Sequence, residues 1–244
     1  MAEITEQVGS SIGALTQEFN IIANNMANVN TAGFKRRCSD FVKSMMDMQN
    51  RLSQEPTSVV ELNSSIDFSQ GTLVQTGQPL DFAIFGKGFF VIETPEGARY
   101  TRNGSFHLNS NGQIVNSDQR IVAGQAGPIT VPAGFSSSQL IVSNDGTVSV
   151  GSAAIGKLQI VDFKENENKL IPVGFSCLSM PDETIRPVAA ENVSIRQGYQ
   201  ESSNVQIIDE LVDLIMVSRL YEANMKLLSA QTDASKNIMS VAMG

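Results

Sequence analysis

Two heptad stripes, one at each end of the chain, constrain the fold more than any other feature of the sequence. Near the start, Val8, Ile12, Leu15, Phe19, Ile22, Met26 and Val29 recur at a strict 4-3 spacing. That spacing lays one apolar stripe along a helix and is the pattern of a coiled-coil seam. It predicts a helix from about Ile4 to Val29, roughly 39 Å long at 1.5 Å per residue, ending at Asn30-Thr31-Ala32-Gly33, where glycine takes the left-handed cap. At the far end Ile207, Leu211, Leu214, Ser218, Tyr221, Met225, Leu228, Thr232, Ser235, Met239 and Ala242 repeat in the same way. Ser203 with Gln206 fits a capping box, and Asp209 and Glu210 put negative charge near the positive end of the helix dipole. The second helix is expected from Ser203 to Ala242, about 60 Å.

Between the ends the pattern changes to short alternating runs punctuated by Asn103-Gly104, Asn111-Gly112, Asp145-Gly146 and Pro95-Glu96-Gly97, which are hairpin signals. Phe89–Ile92, Leu140–Val142 and Leu158–Phe163 read as strands. Several short strands at such intervals indicate an all-β region. Residues 35–75 have no sustained period: Met45, Met46, Met48 and Leu52 favour helix, and Pro56, Asn63, Ser64 and Ser65 break it. The fold class is therefore α+β, with long N- and C-terminal helices forming a coiled-coil-like inner domain, and with a central all-β domain. Its expected divisions are an N-terminal helix (1–34), an irregular connector (35–75), a β domain (76–200) and a C-terminal helix (201–244).

Composition removes several functions. Across 244 residues, 17 Lys and Arg face 25 Asp and Glu, a net charge of −8, with no basic block to neutralise phosphates, so nucleic acid is not an expected partner. Cys38 and Cys177 are far apart, there is no CxxC, and His107 is the single histidine; a zinc ribbon or a disulfide scaffold does not fit. The start lacks a basic region followed by an apolar one, and no stretch approaches eighteen apolar residues. Neither a cleaved signal peptide nor membrane insertion is expected, and export would need another route.

One seam of seven side chains barely offsets the entropy of ordering some 26 residues. Both ends are accordingly expected to be poorly ordered in a free subunit, and to become helical when neighbouring subunits bury their remaining faces. Small residues on the first helix, Ser10, Ser11, Gly13, Ala14, Ala23 and Ala27, permit close approach. Head-to-tail contacts that do not close into a ring build a filament.

Four stretches carry a resemblance. Ala23-Asn24-Asn25-Met26-Ala27-Asn28-Val29-Asn30-Thr31-Ala32-Gly33-Phe34-Lys35, Leu80–Ile84 followed by Gly86-Lys87-Gly88-Phe89-Phe90, Tyr100–Phe106 with Gly112 after it, and Ser203-Asn204-Val205 leading to Arg219–Asn224 resemble, in order, signatures of the bacterial flagellar basal-body rod and hook proteins. Gly127–Pro132, Asn144–Val148 and Gly156-Lys157-Leu158, with only 80 − 37 = 43 steps from Arg37 to Leu80, look most like the proximal rod members. Gly86–Phe90 and Gly104-Ser105-Phe106 look equally like the distal rod and hook members, so the distal rod remains the alternative. The resemblance implies a structural subunit of the rod, exported by the flagellar type III apparatus without a cleaved signal peptide and assembled in the periplasm with rod subunits above and below and with copies of itself. Torque would pass from motor to hook through packed terminal helices.

On this reading the assembly interface comprises Val8, Ile12, Leu15, Phe19, Ile22, Asn25, Asn28, Gly33 and Phe34 in the first half, and Leu211, Leu214, Tyr221, Asn224 and Leu228 in the second. Two local questions stay open: whether Asn24, Asn25, Asn28 and Asn30 reach neighbouring subunits or cap their own helix, and whether Lys35-Arg36-Arg37 is a solvated cluster near the helix dipole or pairs with an acid. No catalytic residue, metal ligand or cofactor is assigned. Gly86-Lys87-Gly88 lacks the third glycine of a phosphate loop, Asn109–Gly112 lacks calcium-loop carboxylates, and His107 has no nucleophile or acid at a telling spacing. Two rivals remain: a secreted β-sandwich binding module whose helices clamp it, and an enzyme.

Overall fold

The structure, a computed structural model, describes residues 2–39, 64–174 and 176–243. The chain is mixed α+β, with an N-terminal helix, a central β-rich region and a C-terminal helix. It divides into two compact units: a helical unit of residues 1–27, 37–67 and 205–244, and a β unit of residues 28–36 and 68–204. Residues 40–63 of the connector, with Met45, Met46, Met48, Leu52, Pro56 and Asn63, lie outside the described residues, as do the side chains at heptad positions Ser235, Met239 and Ala242.

In the helical unit, α1 (Ala2–Ala27) packs on α2 (Ile207–Met243). Leu15, Ile22 and Val217 form their small core, with Met26, Leu214 and Leu220 against it. Both helices thus form and pair inside one chain. A short antiparallel ladder, Arg37–Ser39 with Ser64–Ile66, completes the unit, so Ser64 and Ser65 are strand residues. The second helix starts at Ile207, four residues after Ser203. The Asn204 side chain explains the delay: it accepts from the Arg36 N–H (2.7 Å) and donates to the Ser69 carbonyl (3.2 Å), which keeps the backbone extended through that point. Asp209 and Glu210 do occupy the first turn.

The β unit is antiparallel throughout. Its largest sheet orders the strands Ile171–Pro172, Cys177–Ser179, Gly97–Thr101, Phe89–Thr94, Ile160–Asp162 and Val188–Ala189. A three-stranded sheet is built from Ala153–Lys157, Thr147–Val150 and Leu140–Val142. Smaller ladders pair Phe82–Phe85 with Ser194–Gln197, Leu73–Gln75 with Tyr199–Glu201, and His107–Leu108 with Ile114–Val115. Pro95-Glu96 and Asp145-Gly146 turn hairpins as their residues suggest. Asn103-Gly104 does not: a Cβ on Gly104 would lie 1.7 Å from the Phe82 carbonyl oxygen, so this glycine permits a close backbone approach instead of a turn.

Apart from Phe89, Tyr100 and Phe163, whose rings pack together, many of the unit's buried side chains form a core cluster. Phe82, Ile84, Phe90, Ile92, Ile114, Val122 and Val148 are wholly buried in it, and Phe106 meets Phe82 at a tilt and Phe90 edge to face, with ring centroids 5.9 and 5.2 Å away. Aromatic pairs at these distances add to the burial itself.

Candidate functional site

Along α1, the side chains that turn inward are Val8, Ala14, Leu15, Glu18, Ile21, Ile22 and Asn25. The packed face therefore follows 15, 18, 22 and 25, one step to the side of the apolar heptad, and Phe19 is left 45% exposed. Ile12 and Asn28 are half-buried. The shift has a chemical cause in Asn25. Its amide donates to the Arg37 carbonyl (2.8 Å) and to Glu210 Oε2 (3.1 Å), and its carbonyl accepts the Arg37 N–H (2.9 Å). A buried side-chain amide that satisfies a strand residue on both sides fixes the rotation of α1, because turning it away would strand those groups.

On α2 the inward positions are Glu210, Val217 and, partly, Leu214, Leu220, Asn224 and Leu228. The apolar heptad positions Ile207, Leu211, Tyr221 and Met225 are exposed, and so are Ile208 (72%), Val212, Ile215, Met216 and Leu227 off the heptad. At 3.6 residues per turn, Ile207, Ile208, Leu211, Val212, Ile215 and Met216 spread over about half the helix circumference. An apolar face of this width on the first turns of a helix is ordinarily covered by another element. In the single chain one side of α2 is covered, and its opposite side is bare.

In the β unit, the chain leaving α1 folds into a buried polar junction. Gly33 has φ +67°, donates its N–H to the Glu201 carbonyl (2.7 Å), and comes so close to Asn103 that a Cβ would sit 2.3 Å from that residue's backbone nitrogen. Phe34 beside it is half-buried. Lys35 Nζ reaches Glu201 Oε1 (2.6 Å) and the Ser69 carbonyl (2.6 Å). Arg102 Nη1 reaches Glu201 Oε2 (3.3 Å), while its Nη2 donates to the Gly86 carbonyl (2.8 Å). The Gly71 N–H donates to Glu201 Oε1 (3.0 Å). The Glu201 side chain is 0% exposed, and those of Lys35 and Arg102 are 4% each. Burial pulls the Arg102 guanidinium below its ordinary value, with Glu201 the main opposing influence.

Lys35 is therefore not a solvated cation at a helix end; it is half of a buried ion pair inside its own unit. Asn28 serves locally, accepting from Thr31 Oγ1 (3.1 Å). Sequence reasoning missed Glu18, Glu201 and Glu210. Nothing flags an isolated glutamate as buried, since charge ordinarily signals a surface.

Among the described residues no group of three His, Cys, Asp or Glu is placed to hold a metal ion, and no helix is long and apolar enough to cross a membrane. His107 lies in a two-residue strand with its Nε2 2.6 Å from the Gln119 side chain.

These features coincide with matches to known proteins. Residues 12–35 match the family described as flagella basal body rod protein, residues 83–150 the flagellar hook protein FlgE/F/G D1 domain, and residues 196–241 the flagellar basal body rod FlgEFG protein C-terminal region. A flagellar basal-body rod protein FlgG of Buchnera aphidicola is 33% identical over 86% of this chain and 88% of its own length. A flagellar basal-body rod protein FlgF of Mesorhizobium japonicum is 32% identical over 92% and 90%, and the FlgF of Salmonella typhimurium 30% over 91% and 92%. Paired terminal helices, an intervening β unit and this coverage lead to one conclusion: the chain belongs to the flagellar basal-body rod protein family, a structural, non-enzymatic part of the flagellum that assembles with other axial proteins of the basal body.

Proposed function

We propose that the chain is the proximal rod subunit, whose terminal helices join those of neighbouring copies and of adjacent axial subunits in a coiled-coil-like inner tube that carries torque from motor to hook. The observation behind this reading is the bare apolar side of α2: Ile208, Leu211, Val212 and Ile215 are exposed on a helix that its own chain covers on one side only. Of the residues assigned to assembly, Phe19, Leu211 and Tyr221 are exposed in the single chain and make the contacts between subunits. Val8, Leu15, Ile22 and Asn25 are buried and shape the helix pair that presents them. A seam of this kind resists twist, because sliding it by one residue rotates its apolar side away from the partner.

The subunit works in the periplasm and arrives through the flagellar type III apparatus, a route that membership of the rod family supports. The proximal position is supported by Gly127–Pro132, Asn144–Val148 and the short connector. Relatives named FlgG and FlgF match at nearly equal identity, so overall likeness does not choose the position. Phe19→Asp tests the assembly claim. Because Phe19 is outside the helix-pair core, the variant keeps a folded β unit and is not incorporated into rods; normal motility of cells carrying it defeats the proposal. Labelling of the subunit at the distal end of isolated rods would reassign its position.

A further inference from the structure

The chain passes between its two units after Ala27, Arg36, Asp67 and Asn204. Within the β unit, the last three of these crossings are cross-linked. The Arg36 N–H donates to Asn204 Oδ1 (2.7 Å). Asn204 Nδ2 donates to Ser69 Oγ (3.0 Å) and to the Ser69 carbonyl (3.2 Å), and Lys35 Nζ binds the same carbonyl. Glu201 then collects Lys35, the Gly71 N–H and Arg102 on one buried carboxylate, while its own carbonyl accepts from Gly33.

We propose that the junction centred on Glu201 is a torsional clamp that gathers three chain crossings into one buried knot, so that twist enters the β unit through all of them together. This rests on the rod reading above. A single covalent strand relaxes applied twist by rotation about its two soft dihedrals per residue. Three strands bound at one point turn about each other only by breaking the buried Lys35–Glu201 pair together with the part-buried hydrogen bonds around it, and the break leaves buried charge without its partner.

The charge count makes the proposal specific. Lys35 and Arg102 both pair with the single Glu201 carboxylate, and Glu167 and Asp162 act on Arg102 more weakly. Removing Lys35 leaves a neutral Arg102–Glu201 pair, and the Ser69 carbonyl keeps the Asn204 donor. Removing the Glu201 charge leaves two buried cations without their shared partner. A clamp built on Glu201 must therefore lose far more with Glu201→Gln than with Lys35→Met.

Amide hydrogen exchange on the purified full chain reads this directly. Glu201→Gln speeds exchange at Gly33 and Gly71 by roughly tenfold or more, with Lys35→Met giving a smaller factor, while residues 89–101 keep their protection. An effect of Lys35→Met equal to or above that of Glu201→Gln, or acceleration spread evenly through 89–101, overturns the clamp. Should Glu201→Gln fail to fold, Lys35→Met alone decides: exchange at Gly33 identical to the parent chain overturns the proposal. In cells, Lys35→Met leaves speed unchanged in dilute medium and makes it fall more steeply as viscosity rises, whereas Val188→Ser, on an exposed edge strand, follows the wild type in both media. A Lys35→Met curve superimposable on the wild type counts against the clamp. Cells that swim with the chain deleted sink the rod reading instead, and the exchange result then stands by itself.

Discussion

The β unit and the helical unit cover apolar surface to opposite degrees. Sixteen buried side chains from across residues 80–195 close the β core. The helix pair closes around Leu15, Ile22 and Val217, and leaves Phe19 and half the circumference of α2 uncovered. Stability follows buried apolar area, so the first unit is the more complete within one chain, and on the proposed reading neighbours complete the second. On the proposed reading this is a division of labour, in which the β unit folds by itself and the helices supply the contacts.

The largest expected effect tests that contrast. Phe82→Ala empties a wholly buried site among Ile84, Phe90 and Phe106, and is expected to destabilise the β unit by about 3–5 kcal/mol. Leu15→Ala in the helix pair is expected to lose about 2 kcal/mol, the low end for such a change, since two helices can close on the gap. Urea unfolding followed by circular dichroism compares the two; equal losses would mean that both units are equally complete.

Next comes the polar key of the helix pair. Asn25→Ala strands the Arg37 N–H and carbonyl and takes a donor from Glu210, which is expected to destabilise the helical unit by about 3 kcal/mol. Exchange in α1 rises while the β unit keeps its urea midpoint. A shift in the β midpoint of the same size would show the two units to unfold as one.

Legibility in the sequence divided along the same line. Both terminal helices announced themselves by period, and Phe89–Ile92, Leu140–Val142 and the Asp145-Gly146 turn by alternation and turn chemistry, because apolar pattern and backbone preference are local properties. The rotation of each helix was not legible. Phe19 continues the α1 heptad yet faces out, because Asn25 satisfies Arg37 and Glu210, and that demand comes from residues 12 and 185 positions away in the chain. Glu201 likewise looks like a surface acid until Lys35 and Arg102, 166 and 99 positions away, are brought to it.

Gly104→Ala probes the finished unit at a smaller scale. Its backbone is not in the left-handed region, so the added methyl acts through space alone, against the Phe82 carbonyl and the Phe90 ring. Forcing that contact apart is expected to cost about 1–3 kcal/mol, read as a lower urea midpoint for the β unit with α1 and α2 exchange unchanged. A midpoint equal to the parent's would show that the Phe82 strand shifts freely, which the tight core denies.

The smallest effect is one of pH, and it belongs to the β unit alone. Asp145 is held at about 2, below its ordinary 3.8, first by the Thr147 hydroxyl and N–H and then by Lys157, which donate over 2.8, 3.2 and 3.1 Å. A carboxylate held low in the folded state adds stability that is complete above 3.8 and is lost as pH falls through about 2. The group is fully exposed, so the contribution is small and weakens with salt. Asp145→Asn should flatten the fall of the β unit's melting temperature across that window and leave helix exchange untouched. If the fall is as steep without the carboxylate, the turn between Leu140–Val142 and Thr147–Val150 is held by Gly146, at φ +88°, and by the strand ladder, with no measurable help from charge.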